Sequence, residues 1–192
     1  MKLNMETLLK QINQCRLCES ILPFEPKPLL QVSIKSKVLI LGQAPGAKTH
    51  QSGIPFDDKS GDRLRTWLGV DKSQFYDAKL FAILPMGFCY PGRGISGDLP
   101  PTPQCANTWR EALLTKLTNV ELTILLGKYA IEWHLHSKAS ITDLAKQWQT
   151  LLKSKQIVLP HPSPRNNIWL KKNAWFESEV IPKLQQRIKA II

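Results

Sequence analysis

Four short apolar runs, each ended by glycine or proline, constrain the fold of this chain more than any other feature. Apolar runs of this length are typical of strands that are buried on both faces of a parallel sheet. Helical patterns lie between and after these runs. The pattern predicts a final helix that bends at Pro182. The alternation predicts an α/β fold, a three-layer α/β/α sandwich with a central four-stranded parallel sheet. The runs are KVLILGQAP (37–45), KLFAILPMGF (79–88), ELTILLGK (121–128) and QIVLPHP (156–162), and the helices are 62–68, 107–117, 128–136, 142–152 and 168–192.

Length and composition predict an ordinary globular chain. At 192 residues, 43% of them apolar, we expect one domain over 1–192 with an N-terminal arm, 1–36. The apolar runs are too short to span a membrane. The first residues, MKLNMETLLKQINQC, have neither the apolar core nor the cleavage site of a signal peptide. We therefore expect a cytoplasmic protein without membrane association.

The charge of the chain predicts a polyanionic partner. Lys and Arg number 26 against 15 Asp and Glu, which gives a formal net charge of +11. Such an excess favours nucleic acid first and acidic lipid second. The basic residues are spread along the chain, which indicates a folded basic face and not a disordered arm.

Three of the apolar runs end in unusual loops, GQAPG, PMGFCYPG and PHPSPRN. The carboxyl ends of parallel strands meet at one edge of the sheet, so these loops locate the functional site. GQAPG has neither the spacing of a phosphate-binding P-loop nor that of a dinucleotide site. In the third loop, prolines flank His161, and a histidine held in this way suits hydrogen-bond donation to a leaving group. Because no carboxylate adjoins it in sequence, we expect a neutral imidazole.

The four cysteines indicate a metal site. Cys15 and Cys18 form a C-x2-C pair, and Cys89 and Cys105 are separated by fifteen residues. A cytoplasmic chain would not ordinarily use them as disulfides, whereas four thiolates complete a metal shell. The spacing alone leaves zinc and an iron–sulfur cluster open. In either case, the role we expect is structural.

Several motifs together resemble the uracil-DNA glycosylase superfamily, in particular its iron–sulfur branch, the family 4 enzymes. That branch carries GEAPG, then G-x-PF, then a small residue and Gly that open a helix. This chain reads GQAPG at 42–46, GIPF at 53–56 and Ser60-Gly61 in the same order. The second superfamily motif, HPS, stands at 161–163, and its extension PRN resembles the single-strand-selective branch. The order of the cysteines is also similar to that of the family 4 cluster.

The resemblance implies removal of a base from DNA by a monomer with no small organic cofactor. It also implies a structural four-iron four-sulfur cluster held by Cys15, Cys18, Cys89 and Cys105. The base would lie against Gly42, Gln43 and Ala44, with the Gln43 backbone holding it, Phe56 stacked on it and His161 beside the oxygen that becomes negative. We expect His50 as a second polar group. The residues implied to enter the DNA are Ser163, Arg165, Asn166 and Asn167.

Two departures from the family pattern leave open which base the protein would remove. Ala44 stands where the family 1 enzymes carry Asp and the single-strand-selective ones Asn, although family 4 shares this lack. Pro85 stands where family 4 carries an Asn, four residues before the third cysteine, that reads the edge of uracil. Proline offers neither a side-chain hydrogen bond nor a backbone donor. The alternative is therefore a non-catalytic nucleic-acid-binding module on a glycosylase scaffold.

Further residues are weaker candidates from the sequence. Asp57 and Asp58 are candidates for positioning water, although a helix start or surface role is the simpler interpretation. Lys171 and Lys172 would neutralise DNA phosphates. The remaining expectations are base stacking or core packing for Trp169, core packing for Trp175, and structural roles for His134 and His136.

Overall fold

The strands form the predicted parallel sheet in the computed structural model, which describes residues 4–95 and 97–192. The four-stranded sheet has the order β2 (Phe81–Ile83), β1 (Val38–Leu41), β5 (Leu122–Leu126) and β6 (Gln156–Leu159), and all its neighbours are parallel. Ile40 of β1 pairs with Ile83 of β2 and with Ile124 of β5, so the carboxyl ends of these three strands meet at one edge of the sheet. The predicted fold class is confirmed. The strands are β1 Val38–Leu41, β2 Phe81–Ile83, β3 Arg93–Gly94, β4 Gly97–Asp98, β5 Leu122–Leu126 and β6 Gln156–Leu159.

Helices cover both faces of this sheet, as the alternation in the sequence predicts. The α-helices are α1 Met5–Asn13, α2 Ala47–Ser52, α3 Lys59–Leu68, α4 Lys72–Phe75, α5 Pro103–Cys105, α6 Glu111–Leu114, α7 Lys128–Leu135, α8 Ile141–Lys146, α9 Trp148–Lys153, α10 Asn167–Lys172 and α11 Ile181–Ile191. A π-helical segment, Ala106–Arg110, joins α5 to α6, and a second one, Phe176–Val180, leads into α11. A 3-10 turn is formed by Pro164–Asn166.

Successive strand residues pack into two separate cores, which is why the strands of the central sheet are apolar except at Thr123 and Gln156. In β1, Val38 and Ile40 face the first core, which they form with residues of α3, α4 and α11. Leu39 and Leu41 face the second core, which they form with residues of α1, α6, α7 and α8. The three layers follow from this two-sided burial.

The predicted final helix is two helices, and the break is not at Pro182. It falls at Asn173, which follows α10 and whose side-chain amide donates to the Trp169 carbonyl over 2.9 Å. Pro182 lies in the first turn of α11, directly after the π-helical segment Phe176–Val180. The helix predicted over 142–152 is likewise divided, at Gln147 between α8 and α9.

The loop after β2 forms a small antiparallel hairpin, β3–β4, that the hydrophobic pattern does not predict. Arg93 pairs with Asp98, and Gly94 with Gly97. The N–H of Leu99 donates to the Gly92 carbonyl over 2.9 Å and closes the hairpin. This hairpin brings polar residues to the edge of the sheet at which the strands end.

The N-terminal arm is tied to the sheet. Leu8 and Ile12 of α1 are buried in the second core. Gln31 exchanges backbone hydrogen bonds with Ile83 of β2, at 2.9 and 2.6 Å. Across the described parts of the chain, none of the helices has the length and apolar character needed to cross a membrane.

Candidate active site

A cleft of about 530 Å³ opens at the carboxyl edge of the sheet, between the loops that follow β1, β2 and β6. This volume is in the range of small-molecule and nucleobase sites. The cleft brings together most of the residues that the sequence singles out. These are Gly42, Gln43, Ala44, Phe56, Asp58, Pro85, His161, Ser163, Arg165 and Asn166, joined by Gly97 and Asp98 of the hairpin.

His161 is held in one tautomer by its own loop. The backbone N–H of Ser163 donates to Nδ1 of His161 over 3.3 Å, so Nδ1 is an acceptor and the ring proton is placed on Nε2. Burial lowers the pKa of His161 from its ordinary value, which outweighs the opposite effect of Asp58 and Asp98. The imidazole is therefore neutral at pH 7 and donates from Nε2.

Two carboxylates act on this imidazole from different elements. Asp58 caps the start of α3, where its Oδ1 accepts from the Gly61 N–H over 2.9 Å. Asp98 ends the hairpin and faces the first loop, because a Cβ built on Gly46 would lie 3.4 Å from its Oδ2. The sequence pattern gave no signal for Asp98, since only the turn GRGISGD brings it back over the cleft.

Phe56 has a backbone conformation that non-glycine residues rarely adopt, with φ of 56°. Its carbonyl accepts from Arg65 Nη1 over 3.3 Å. A Cβ on Gly61 would lie 1.7 Å from that carbonyl oxygen, so only glycine fits at the start of α3. The Phe56 ring reaches Gly42, where a Cβ would lie 3.8 Å from Cζ, and thus forms one wall of the cleft.

The loops after β1 and β2 are joined backbone to backbone. The N–H groups of Met86 and Gly87 donate to the carbonyls of Gly42 and Gln43 over 2.9 and 3.0 Å. With its carbonyl engaged in this way, Gln43 has its backbone N–H to offer a ligand. The two loops therefore form one rigid floor.

Arg110 supports the same floor from below, a role that the sequence does not predict. The side chain is fully buried, and Nη1 donates to the Pro85 carbonyl over 2.9 Å. Its Nη2 lies 3.0 Å from Nε2 of His134. Burial lowers the pKa of Arg110 to about 10, and burial together with Arg110 lowers that of His134 to about 3. His134 is therefore a neutral acceptor, consistent with the structural role expected for it.

The loop 161–167 is braced at both ends. Asn166 donates from Nδ2 to the His161 carbonyl over 2.7 Å. Arg63 of α3 donates to the Ser163 carbonyl over 3.2 Å and to Oδ1 of Asn167 over 2.8 Å. Asn167 is thus outside the cleft lining, whereas Ser163, Arg165 and Asn166 belong to it.

His50 does not line the cleft that contains His161. It lies in a second cavity beyond α2, with its ring centroid 5.2 Å from that of Phe24 and 5.8 Å from that of Tyr90. The helical turns of α2 carry His50 to the side away from His161. Burial, followed by the charge of Lys27, lowers its pKa.

The two tryptophans of the last helices also lie outside the cleft. Trp169 and Trp175 pack against the first core, and the Trp169 indole N–H donates to Thr142 over 2.8 Å. Base stacking by Trp169 is therefore not supported by its position. Lys171 and Lys172 are exposed on α10.

All four cysteines are free thiols and line one small cavity between the N-terminal arm and the loop after β2. The Phe88 N–H donates to Sγ of Cys105 over 3.3 Å. Burial raises the pKa of Cys89 to about 11 and that of Cys105 to about 12. Within residues 4–95 and 97–192, no three His, Cys, Asp or Glu side chains are grouped so that a metal ion could be held.

The comparison with known families agrees with this geometry. A model of the uracil DNA glycosylase superfamily matches residues 30–185, most of the chain, from the segment before β1 to α11. The matched range includes the GQAPG loop, the hairpin and the histidine loop. The chain belongs to the uracil DNA glycosylase superfamily.

Proposed function

We propose that the protein is a monofunctional DNA glycosylase that hydrolyses the N-glycosidic bond of a flipped uracil or other deaminated base. One observation carries the proposal: a neutral His161, with its proton on Nε2, faces a cleft that also holds two carboxylates. The chemistry needs a donor for the leaving base and a group of negative charge for the sugar. The cleft provides both.

His161 stabilises the leaving base. When the C–N bond breaks, the base takes the electron pair, and the negative charge is delocalised onto a carbonyl oxygen of the base. A neutral imidazole can donate a hydrogen bond to that oxygen without first losing or gaining a proton. The Ser163 N–H holds the ring in the orientation needed for this donation.

Asp98 and Asp58 act on the sugar side. The anomeric carbon becomes cationic as the base departs, and a carboxylate stabilises that charge. Water then adds its oxygen to this carbon, and a carboxylate accepts the proton that the water loses. The Asp58 oxygen Oδ1 already accepts from Gly61 in the α3 cap, so we propose Asp98 as the carboxylate that positions the water.

The base is bound by stacking and by the backbone. Phe56 offers its ring, and the N–H of Gln43 offers one donor to a base oxygen. Gly42 and Ala44 leave room for the approach of the base. Pro85 supplies no donor, and its carbonyl already accepts from Arg110. A pocket of this kind selects a base by its shape and by a carbonyl oxygen that accepts a hydrogen bond, and uracil, hypoxanthine and xanthine all meet this requirement.

DNA would be held by the histidine loop and by the basic surface. Ser163, Arg165 and Asn166 line the mouth of the cleft, and Arg63 fixes the position of Asn167 beside it. Lys171 and Lys172 follow on an exposed helix turn. With the net charge of +11, these groups provide the phosphate contacts that orient a duplex.

Cys15, Cys18, Cys89 and Cys105 would hold a four-iron four-sulfur cluster, as in the family 4 branch, or a structural zinc. The proposal rests on four free thiols that line one cavity and on the N–H directed at Cys105. Because no three of these side chains are grouped to hold a metal ion in the described residues, the thiols would have to move closer together on binding. When bound, the group supplies cross-links between the arm, the β2 loop and α5. Binding must displace thiol protons, because burial favours the protonated thiols.

Base release from defined oligonucleotides tests the function. Purified protein is incubated with single- and double-stranded DNA that contains uracil, hypoxanthine or xanthine, and abasic product is measured after alkaline cleavage. Release of at least one base is expected, and no release from any substrate would overturn the activity. Salt-sensitive DNA binding without release would favour the non-catalytic module, an alternative that Ala44 and Pro85 support.

Iron, sulfide and zinc analysis of the same protein tests the cofactor independently. Iron and sulfide with absorbance near 400 nm are expected for a cluster. One zinc per chain in a colourless protein would show that the site binds zinc and not a cluster. If the protein contains neither iron nor zinc, the proposed site is overturned.

A further inference from the structure

The second cavity, which His50 lines, has a volume of about 540 Å³, and the proposed chemistry makes no use of it. Three aromatic rings meet there. The ring centroid of Phe24 lies 5.2 Å from that of His50 and 6.1 Å from that of Tyr90, and the Phe24 and Tyr90 planes are within 22° of parallel. Phe24 is nevertheless 55% exposed. An aromatic ring that stays open to solvent beside two others is a stacking surface for a flat ligand.

Polar groups for the edge of such a ligand lie in the same cavity. Gln51 lines it with an exposed side-chain amide, which can both donate and accept hydrogen bonds. Nδ1 of His50 is buried without a hydrogen-bond partner, the one side-chain nitrogen or oxygen of residues 4–95 and 97–192 in this condition. Buried polar atoms are nearly always paired, so an unpaired one on a side chain that lines a cavity points to a ligand. Rotation of the imidazole would bring Nδ1 to that ligand.

The charges around the second cavity favour a nucleobase over a cationic ligand. Aromatic groups also bind methylated lysine, whose cation is held over the ring faces. Here Arg93 is exposed and lines the cavity, and Lys27 Nζ donates to the His50 carbonyl over 2.7 Å. No Asp or Glu is among the described residues that line this cavity. Two cations without a carboxylate repel a cation and attract the phosphates of a nucleic acid.

One wall separates the second cavity from the cleft. In α2, His50 lines the second cavity, whereas Lys48 and Thr49 line the cleft. In the hairpin, Arg93 of β3 lines the second cavity, and its cross-strand partner Asp98 of β4 lines the cleft. A DNA strand whose target base enters the cleft can therefore pass over this wall and reach the second cavity.

We infer that the second cavity binds a neighbouring nucleobase of the single DNA strand that presents the target base to the cleft. The base stacks on Phe24, Gln51 and His50 face its polar edge, and Arg93 lies beside its phosphate. The inference rests on the proposed function for its ligand and extends that function, since the bound nucleotide does not react. A base within a duplex is stacked and paired, so this site favours an unpaired strand.

Nucleotides without a base, placed along a strand, test the second cavity. A single-stranded oligonucleotide carries a tetrahydrofuran abasic analogue at the target position, so that no base can be released, and a second analogue at each neighbouring position in turn. Fluorescence anisotropy measures Kd. For the wild-type protein we expect one position at which loss of the base weakens binding about tenfold, the effect of one stacked base.

Replacement of Phe24 assigns that position to the cavity. Phe24→Ala should bind the strand with a single analogue about tenfold more weakly than the wild type and should show no dependence on the second analogue. Phe24→Tyr keeps the stacking face and should behave as the wild type. Ile21→Ala is the matched control, because Ile21 belongs to the same arm, is 58% exposed and does not line the cavity.

The outcomes separate failure of the second site from failure of the proposed function. The absence of such a position in the wild type, or the same dependence in Phe24→Ala, would overturn the second site even if the protein releases a base. Phe24-dependent binding at one position without base release from any substrate would overturn the glycosylase and keep the second site. A trimethyl-lysine peptide that binds the wild type but not Phe24→Ala, and that displaces no DNA, would assign the cavity to a protein partner and overturn the inference.

Discussion

The Ser163 N–H donates to Nδ1 of His161 over 3.3 Å, and this contact links the DNA-facing loop to the proposed catalytic proton. A bond to Nδ1 leaves Nε2 as the donor, so the backbone of the loop decides which nitrogen faces the base. Protonation of Nδ1 would set two N–H groups against each other. The conformation of the loop and the neutral state of the imidazole therefore support one another.

Removal of the imidazole should abolish most of the rate. His161→Ala is expected to lower the single-turnover rate of base release by about 10²–10³, the range for loss of one donor to a developing anion. His136→Asn is the control, because His136 is exposed at φ of 49°, a conformation that Asn tolerates. Full activity of His161→Ala would remove this residue from the mechanism.

The rate should depend on pH through His161. Burial lowers the pKa of His161, so the imidazole is neutral above about pH 6.5, the ordinary value, and for some distance below it. The rate should be flat through neutral pH and fall as acid protonates the ring, because Nδ1 then ceases to accept from Ser163. A rate that rises as the pH falls below 6 would contradict a neutral donor.

Asp98→Asn separates the charge of the carboxylate from its shape. The amide fits the same space, but it neither stabilises a cationic sugar nor accepts a proton from water. We expect at least a tenfold lower rate. Asp98 also raises the pKa of His161, so the acid limb of the rate should move to lower pH in this variant. Asp143→Asn, in the exposed first turn of α8, serves as the control.

The position of Phe56 should depend on a glycine five residues later. In Gly61→Ala the new Cβ would lie 1.7 Å from the Phe56 carbonyl oxygen, and backbone must move to relieve this contact. Phe56 already has a strained φ, so both the cleft wall and the cap of α3 should be displaced. We expect loss of at least about 2 kcal/mol in the free energy of unfolding, measured in urea, and weaker substrate binding. Unchanged values would contradict this packing.

The sequence predicts those parts of the molecule that depend on neighbours along the chain. The apolar runs predict the four central strands. Short motifs that come directly or shortly after a strand predict the positions of His161 and Phe56. Asp98 and Arg110 are not predictable in this way, because a hairpin and a helix return them to the site from distant positions. The cavity that His50 lines is not predictable either, since it depends on the phase of α2 and not on proximity to GQAPG.

Arg110 connects stability to the floor of the cleft. Arg110 is fully buried, donates to the Pro85 carbonyl and lies beside His134. Arg110→Met keeps much of the volume but leaves that carbonyl without its donor. We expect a loss of about 2–4 kcal/mol in the free energy of unfolding at pH 7. Arg187→Met, which removes a partly buried arginine with one long contact to the Glu121 carbonyl, is the control.

The same variant should change how stability depends on pH. The pKa of His134 is about 3 in the folded protein, against about 6.5 when unfolded, so the unfolded chain binds the proton between these values. Stability from this group is complete above pH 6.5 and is lost as the pH falls toward 3, by at most about 1.4 kcal/mol per unit before solvent screening. Without Arg110, the pKa of folded His134 rises, so the loss of stability should end at a higher pH than in the wild-type protein. Urea unfolding at several pH values between 5 and 3 measures where the loss ends, and the same end point in both proteins would contradict the coupling of Arg110 to His134.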